Sequence, residues 1–265
     1  MSQARQRPGL TRVSLTVEQE PFLVARSVDY GFPSGFILQE HAHEWHQLLY
    51  ATAGAMTVQA ARCSWMIPPG KAVFIPARCP HGMRMWGSVA MRSLYFPTSL
   101  DAPALRHQQC RVLSVTPLLR ELILRVVDLA ALDSRVPDHT RLLGVLLDEM
   151  NLAPLTPLAL PLPADLRAAA VAQSVLADPA RNATLDDLAR RHGAGRRTLE
   201  RLFRNETGIS FGSWQQKARL LHSVRALAEG KSVTEAALDA GYSSISAFIA
   251  AFKRTFGCTP GSVER

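Results

Sequence analysis

From Thr11 to Pro97 the apolar residues come in short runs that alternate with polar ones and are broken by glycine and proline: VSLTV, PFLVARSV, GFILQEH, HQLLYATAG, AMTVQAA, SWMIPPG, KAVFIPA and VAMRSLYF. Period-two alternation between turn formers predicts β-strands, and many such strands at regular spacing predict a barrel or sandwich. Beyond Pro97 the period becomes helical. PLLRELILRVVDLAAL, capped by Ser114 or Thr116, carries Leu118, Leu122, Val126 and Leu129 on one face, and HTRLLGVLLDEMN, started by Asp138, carries Leu142, Leu143, Leu146 and Leu147. Apolar stripes this wide need a partner surface, either the chain's own β layer or a second copy. After Asn151 the segment LAPLTPLALPLPAD cannot be helical through its prolines and predicts an extended tether at a domain boundary.

The remainder repeats one pattern. Thr184 precedes LDDLARRHG with Asp187 three residues on, a capping-box spacing in which hydroxyl and carboxylate satisfy the first amides of a helix. Gly193-Ala194-Gly195 makes a corner, and RRTLERLFRNETG follows, with Leu199, Leu202 and Phe203 on the buried side and Arg196, Arg197, Glu200, Arg201 and Arg204 on the other. The arrangement recurs from Val233, with Gly241-Tyr242 as the corner, Ser243 or Ser244 as the cap, and SSISAFIAAFKRTFG as the second helix. Two helix-turn-helix units in tandem, the first with an arginine array that matches phosphates and guanine edges, predict binding to successive major-groove segments of DNA.

The segments LARRHGAGRRTLERLFRNETGISFGSW and KARLLHSVRALAEGKSVTEAALDAGYSSISAFIAAFKRTFGCTPG resemble the DNA-binding domain of AraC/XylS-type transcription regulators over Leu166 to Val263. The resemblance implies a linker helix around Phe211–Glu229 with Arg219 at a basic position. It also implies groove-facing positions at Arg197, Glu200, Arg201 and Arg204 in the first recognition helix and near Ser244, Ile245, Ser246, Ile249, Ala250 and Lys253 in the second. The second set is mainly apolar, which points to thymine-methyl contacts or weaker discrimination.

A chain of 265 residues with 47% hydrophobic content is long enough for two domains with separate cores, and its formal net charge of +8 favours an anionic partner. Cysteines at 63, 79, 110 and 258 have neither C-x-x-C pairing nor zinc-finger spacing, so no disulfide framework or structural zinc is expected. The basic start MSQARQRPGL leads into no signal-peptide core and no segment reaches membrane-spanning length, so a cytoplasmic protein without membrane partners is expected.

Within the β-rich part, Gly35, His41, His43, Gln47 and Gly54 are similar to the first cupin pattern, with glutamine in place of glutamate. Gly70, Pro76 and His81 are similar to the second, with Arg78 in place of glycine and Met85 in place of asparagine. Strand alternation puts His41, His43, Trp45 and Gln47 on one inward face, while Glu44 and His46 point away. With His81 from a neighbouring strand these residues make a candidate site for a divalent transition metal such as Zn, Ni, Fe or Mn. The other reading is that the histidines hydrogen-bond to each other, to Gln47 or to an effector. Trp45, Met83 and Met85, with Trp65 and Trp86 beside them, are candidates to line an effector cavity, or else fill the core. Arg62, Arg78, Arg84 and Arg92 read as solvated surface.

The resulting expectation is an α+β chain of two domains. Residues 1–110 form a cupin-like effector- or metal-binding barrel, 111–150 a helical dimerisation element, 151–163 the linker, and 164–265 an all-α tandem helix-turn-helix domain. The expected function is a sequence-specific transcription regulator, activator or repressor, controlled by a small effector. Expected partners are double-stranded promoter DNA, a second copy of the chain and, for an activator, RNA polymerase, with no catalysis. The alternatives are a metal-dependent cupin enzyme fused to a DNA-binding domain, and a cupin that only dimerises.

Overall fold

The computed structural model describes residues 20–60, 63–156, 158–179, 181 and 183–263. The strand expected at Val13–Val17, Arg62, and Pro157 of the linker lie outside them. The N-terminal part holds β1 (Leu23–Phe32), β2 (Ile37–His41), β3 (Trp45–Ala60), β4 (Cys63–Ile67), β5 (Lys71–Ile75), β6 (His81–Pro97) and β7 (Arg111–Ser114). Two of these organise the rest. HQLLYATAG and AMTVQAA, expected as separate strands, form the single long β3, and β6 starts at His81 rather than near Val89. β3 and β6 pair antiparallel along their length, the first half of β3 with the end of β6 and its second half with the beginning, and the register shifts between Ala51 and Ala55, an irregularity of the kind that bends a strand. This pair is the centre of one branched sheet: its path runs β7-β5-β3-β6-β1, with β5 on the first half of β3 and β1 on the second half of β6, while β4 and β2 branch from the other halves. This rolls the domain into the barrel-like shape the strand pattern implied.

Alternation along β3 sorts two cores. Leu49, Ala51, Val58 and their neighbours fill the interior, whereas Leu48 and Tyr50 face outward with Phe74, Leu94 and Phe96. Onto that outer face pack α1 (Pro117–Leu129) and α2 (Pro137–Leu152), separated by β8 (Ala131–Asp133), which joins the sheet beside β1. Thr116 caps α1 by accepting from the Leu119 amide, but Asp138 is not the start of α2, which begins at Pro137 behind Val136. The helical stripes are consumed here: Leu122, Val126, Leu143, Leu146 and Leu147 are buried against the chain's own sheet. At about 1.5–3 kcal/mol for each fully buried aliphatic side chain, this intramolecular burial accounts for the stripes without a second copy. Leu118, Val145 and Leu152 remain exposed.

The expected tether is also structured. Ala159–Pro161 forms β9, which pairs with β4 and extends the barrel sheet, and the indole Nε1 of Trp214 donates to the Pro161 carbonyl at 2.7 Å. The helical domain then follows as α3 (Leu166–Ala177), α4 (Leu185–Arg191), α5 (Arg196–Thr207), α6 (Phe211–Ala228), α7 (Val233–Asp239) and α8 (Ile245–Phe256). Barrel and helical domain dock closely. A Cβ on Gly87 of β6 would stand 2.1 Å from the Ala228 carbonyl oxygen at the end of α6, so only glycine admits this approach. Beside it the guanidiniums of Arg225 and Arg84 lie 4.0 and 4.4 Å from the Trp86 ring centre, a cation–π arrangement that ties α6 to β6. Among the described residues, no helix is long and apolar enough to cross a membrane.

Candidate functional site

The two helix-turn-helix units are the first site. Thr184 and Asp187 make the anticipated reciprocal capping box. A second box, Ser232 with Glu235, opens α7, and its signal in the sequence is the S-x-x-E spacing. Ser244, not Ser243, caps α8 by accepting from the Ala247 amide. The groove-facing candidates Arg196, Arg197, Glu200, Arg201 and Arg204 on α5, and Ser244, Ile245, Ser246, Ile249 and Lys253 at α8, are all exposed. They are not equivalent. Arg196 is held by Asp186 at 2.8 Å and Glu200 at 3.0 Å, which also occupies Glu200. Arg197, Arg201 and Arg204 make no ion pair among the described residues, so their guanidiniums reach outward without breaking one. Arg219 serves the frame: its guanidinium lies against the Gly241 corner of the second unit, 3.7 Å from where a Cβ would be.

The second site is the histidine cluster. His41 ends β2 and His81 begins β6, paired across the ladder, while His43 sits in the loop before β3. Simple alternation along one strand is therefore not what brings His41, His43 and Gln47 together, because the chain leaves the strand between His41 and Trp45. The convergence holds all the same. One nitrogen from each of the three rings lies within 4.8 Å of the others, and the ring centres are separated by 4.3 Å (His41–His81), 5.1 Å (His43–His81) and 6.1 Å (His41–His43).

Each ring uses its Nδ1 on a main-chain carbonyl: His41 on Gln39 at 2.9 Å, His43 on Trp45 at 2.7 Å and His81 on Cys79 at 2.9 Å. A carbonyl only accepts, so each Nδ1 carries the proton and each Nε2 keeps its lone pair. The Nε2 of His81 is buried and has no hydrogen-bond partner among the described residues. Burial, helped by the two neighbouring rings, lowers the His81 pKa to about 4, and burial also lowers that of His43, so the neutral, ligand-competent forms are favoured. Gln47 completes the shell. Its Oε1 stands 3.2 Å from His43 Nε2, and its amide nitrogen donates to Ser93 Oγ at 2.9 Å and Tyr95 Oη at 3.1 Å. Ser93 and Tyr95 were not singled out from the sequence, and nothing local marks them; they face Gln47 because β6 pairs with β3.

Arg78, where the cupin pattern has glycine, takes the left-handed backbone that glycine would take (φ 63°), and its amide donates to the His43 carbonyl at 2.7 Å. Its side chain reaches Glu44 at 2.7 Å on the outside, and His46 stacks on Phe74 away from the cluster. Arg92 pairs with Asp29 and is less exposed than expected. The effector candidates divide. Trp45 and Met85 are 2% and 0% exposed and lie in the buried interior. Met83 does line a cavity, of about 500 Å3, but it lies between barrel and helical domain, with Leu38, Trp86, Leu221, His222 and Arg225.

Against known proteins, residues 31–146 match the family profile of the AraC-like ligand binding domain, and residues 188–265 that of a helix-turn-helix domain. The HTH-type transcriptional regulator NimR of Escherichia coli K12 is 32% identical over 222 residues, 83% of this chain and 80% of that protein. The HTH-type transcriptional regulator RipA of Corynebacterium glutamicum is 36% identical over 102 residues, 38% of this chain and 31% of its own length. Among solved structures, unsaturated fatty acid bound ToxT from Vibrio cholerae covers 90% of this chain and 94% of its own at 14% identity, with a TM-score of 0.38.

Proposed function

Because this chain belongs to the AraC-type family of transcription regulators, with a ligand-binding domain ahead of its helix-turn-helix domain, we propose that its barrel senses a divalent transition metal held by His41, His43 and His81. Gln47 Oε1 is the oxygen donor beside them. The observation that carries this reading is the buried Nε2 of His81, unpartnered among the described residues and facing two further rings whose Nδ1 protons are likewise committed to main-chain carbonyls. Histidine ligands are oriented in just this way, the second nitrogen donating to a carbonyl so that the first presents its lone pair. His43 Nε2 and Gln47 Oε1 are two acceptors 3.2 Å apart, an encounter that a nearby cation relieves. The amide turned over would relieve it without a cation. Three imidazoles and one neutral oxygen suit Zn, Ni or Fe better than Mg or Ca. The bound ion would supply a positive charge and an open position for an anionic effector.

The route to DNA is short. β6 begins at His81 and carries Trp86 and Gly87, the residues docked on α6, so a shift at the cluster acts on the helix that joins the two DNA-binding units. We take promoter DNA as the target, the cytoplasm as the location and regulation rather than catalysis as the role. For the second copy of a homodimer we propose the exposed face bearing Leu118, Val145 and Leu152, with RNA polymerase engaged if the chain activates. Metal analysis and calorimetric titration with zinc and nickel test the central point. One equivalent is expected, lost in His81→Ala and His43→Ala. Failure of every divalent transition metal to bind would mean that the cluster is only a hydrogen-bonded shell, and oxygen uptake by the metal-loaded protein would favour the enzyme alternative.

A further inference from the structure

Cysteines that the sequence keeps apart meet in the fold. The Sγ atoms of Cys79 and Cys110, separated by 31 residues, lie 3.8 Å apart, the only sulfur–sulfur contact among the described residues. Both are free and half-buried. Bond formation brings the sulfurs to about 2.05 Å, a closure within the reach of side-chain rotation plus a small shift of the loop. That loop is attached both to the start of β3 and to the histidine cluster. The Ala77 amide donates to His46 Nδ1 at 3.2 Å, the Arg78 amide to the His43 carbonyl at 2.7 Å, and His81 Nδ1 to the carbonyl of Cys79 itself at 2.9 Å. Cys110 immediately precedes β7, which leads through Thr116 into α1. A crosslink would therefore tie the loop that orients His81 to the strand that enters the helical layer.

We propose that Cys79 and Cys110 form a reversible redox disulfide that responds to hydroperoxides and reports to the histidine cluster. With hydrogen peroxide, the thiolate of Cys79 attacks one peroxide oxygen; an S–O bond forms, the O–O bond breaks, and the departing hydroxide takes a proton to become water. The Cys110 sulfur then displaces the sulfenic oxygen of Cys79 as a second water, forming the S–S bond. Two thiols lose two electrons in all and one hydroperoxide gains them; a dithiol reductant reverses the change. Burial and the adjoining Cys79 push the Cys110 thiol up, which casts it as the resolving partner rather than the first to react. Cys63 also neighbours Cys110, which makes it the rival partner, and sits beside Lys217, while Cys258 sits beside Lys71.

The full chain, stripped of metal with chelator, is exposed to hydrogen peroxide and analysed by differential alkylation and peptide mass spectrometry. A Cys79–Cys110 linked peptide that dithiothreitol removes is expected, absent in Cys79→Ser and Cys110→Ser and retained in Cys63→Ser. Unaltered thiols, a Cys63–Cys110 link, or Cys79 oxidised without a crosslink would each overturn the assignment. The His81 ring signals in long-range 1H–15N spectra of the same metal-free protein should move on oxidation; if they do not, the link to the cluster is wrong. The consequence for metal affinity rests on the metal reading above. Disturbing the carbonyl that orients His81 should change zinc affinity by about tenfold or more between reduced and oxidised protein. Equal affinities would again refute the link, whereas zinc binding to neither form would refute the metal reading and leave the disulfide judged on the peptides and ring signals.

Discussion

The two helix-turn-helix units are alike inside and unlike outside. Both open on a capping box, Thr184 with Asp187 and Ser232 with Glu235, and both recognition helices end on a left-handed glycine, Gly208 and Gly257. Leu199, Leu202 and Phe203 fill the first interior and Phe248, Ala251, Phe252 and Phe256 the second. The outer faces differ: α5 presents Arg197, Arg201 and Arg204, which make no ion pair among the described residues, whereas α8 presents Ile245, Ser246, Ile249 and Ala250 with Lys253 one turn on. Their surroundings differ too. The ammonium of Lys71, a barrel residue bonded to Ser114 Oγ at 2.8 Å, lies 3.9 Å from where a Cβ on Gly257 would be, so the end of α8 rests on the barrel. Building a unit of this kind constrains its caps and core and leaves the exposed helix face free to set what is read.

The comparison breaks most visibly at the cores. Phe203→Ala and Phe252→Ala should each cost about 3–5 kcal/mol in denaturant unfolding. A cost below about 1 kcal/mol in only one of them would show that the interiors are not equivalent. On the outer faces the expected asymmetry is in DNA affinity. Arg201→Ala should lose about 1–3 kcal/mol and relax discrimination at one base position, or, if that arginine meets a phosphate, weaken all sequences alike and flatten the salt dependence. Ile249→Ala should lose less, and only at a thymine. Titrations against operator variants at two salt concentrations would decide this, and a dominant effect from Ile249 would reverse the assignment of the reader. The caps are expected to be matched, with Thr184→Ala and Ser232→Ala each costing about 1 kcal/mol of thermal stability. Smallest is the effect of the barrel contact. Lys71→Met removes a cation near the end of α8, worth about 0.3–1 kcal/mol, and should speed amide exchange in α8 while leaving α5 unchanged. Equal acceleration in both helices would mean that Lys71 supports the whole interface.

What the sequence determined by itself was local. Period-two and helical spacings gave most strands and helices, Thr184 and Asp187 announced a cap, and the spacing of His41, His43, Gln47 and His81 announced a shared site. The periodicities and the cap are legible because each depends on residues a few positions apart, within one strand, turn or helical end, whereas the histidine site was legible through its resemblance to the cupin patterns. Partner choice was not legible. The Leu122 and Leu146 stripes would suit a second copy as well as the chain's own sheet, and burial against Phe74, Leu94 and Phe96 was settled by the pairing of β5, β3 and β6 that puts those side chains on one face. The proline-rich segment became β9 because β4 offered it an edge, and Trp45 and Met85 came to lie in the buried interior. Cys79 found Cys110, and Gln47 found Ser93 and Tyr95, only through strand pairing between distant residues. Periodicity states which face of an element is apolar, and long-range packing alone states what that face meets.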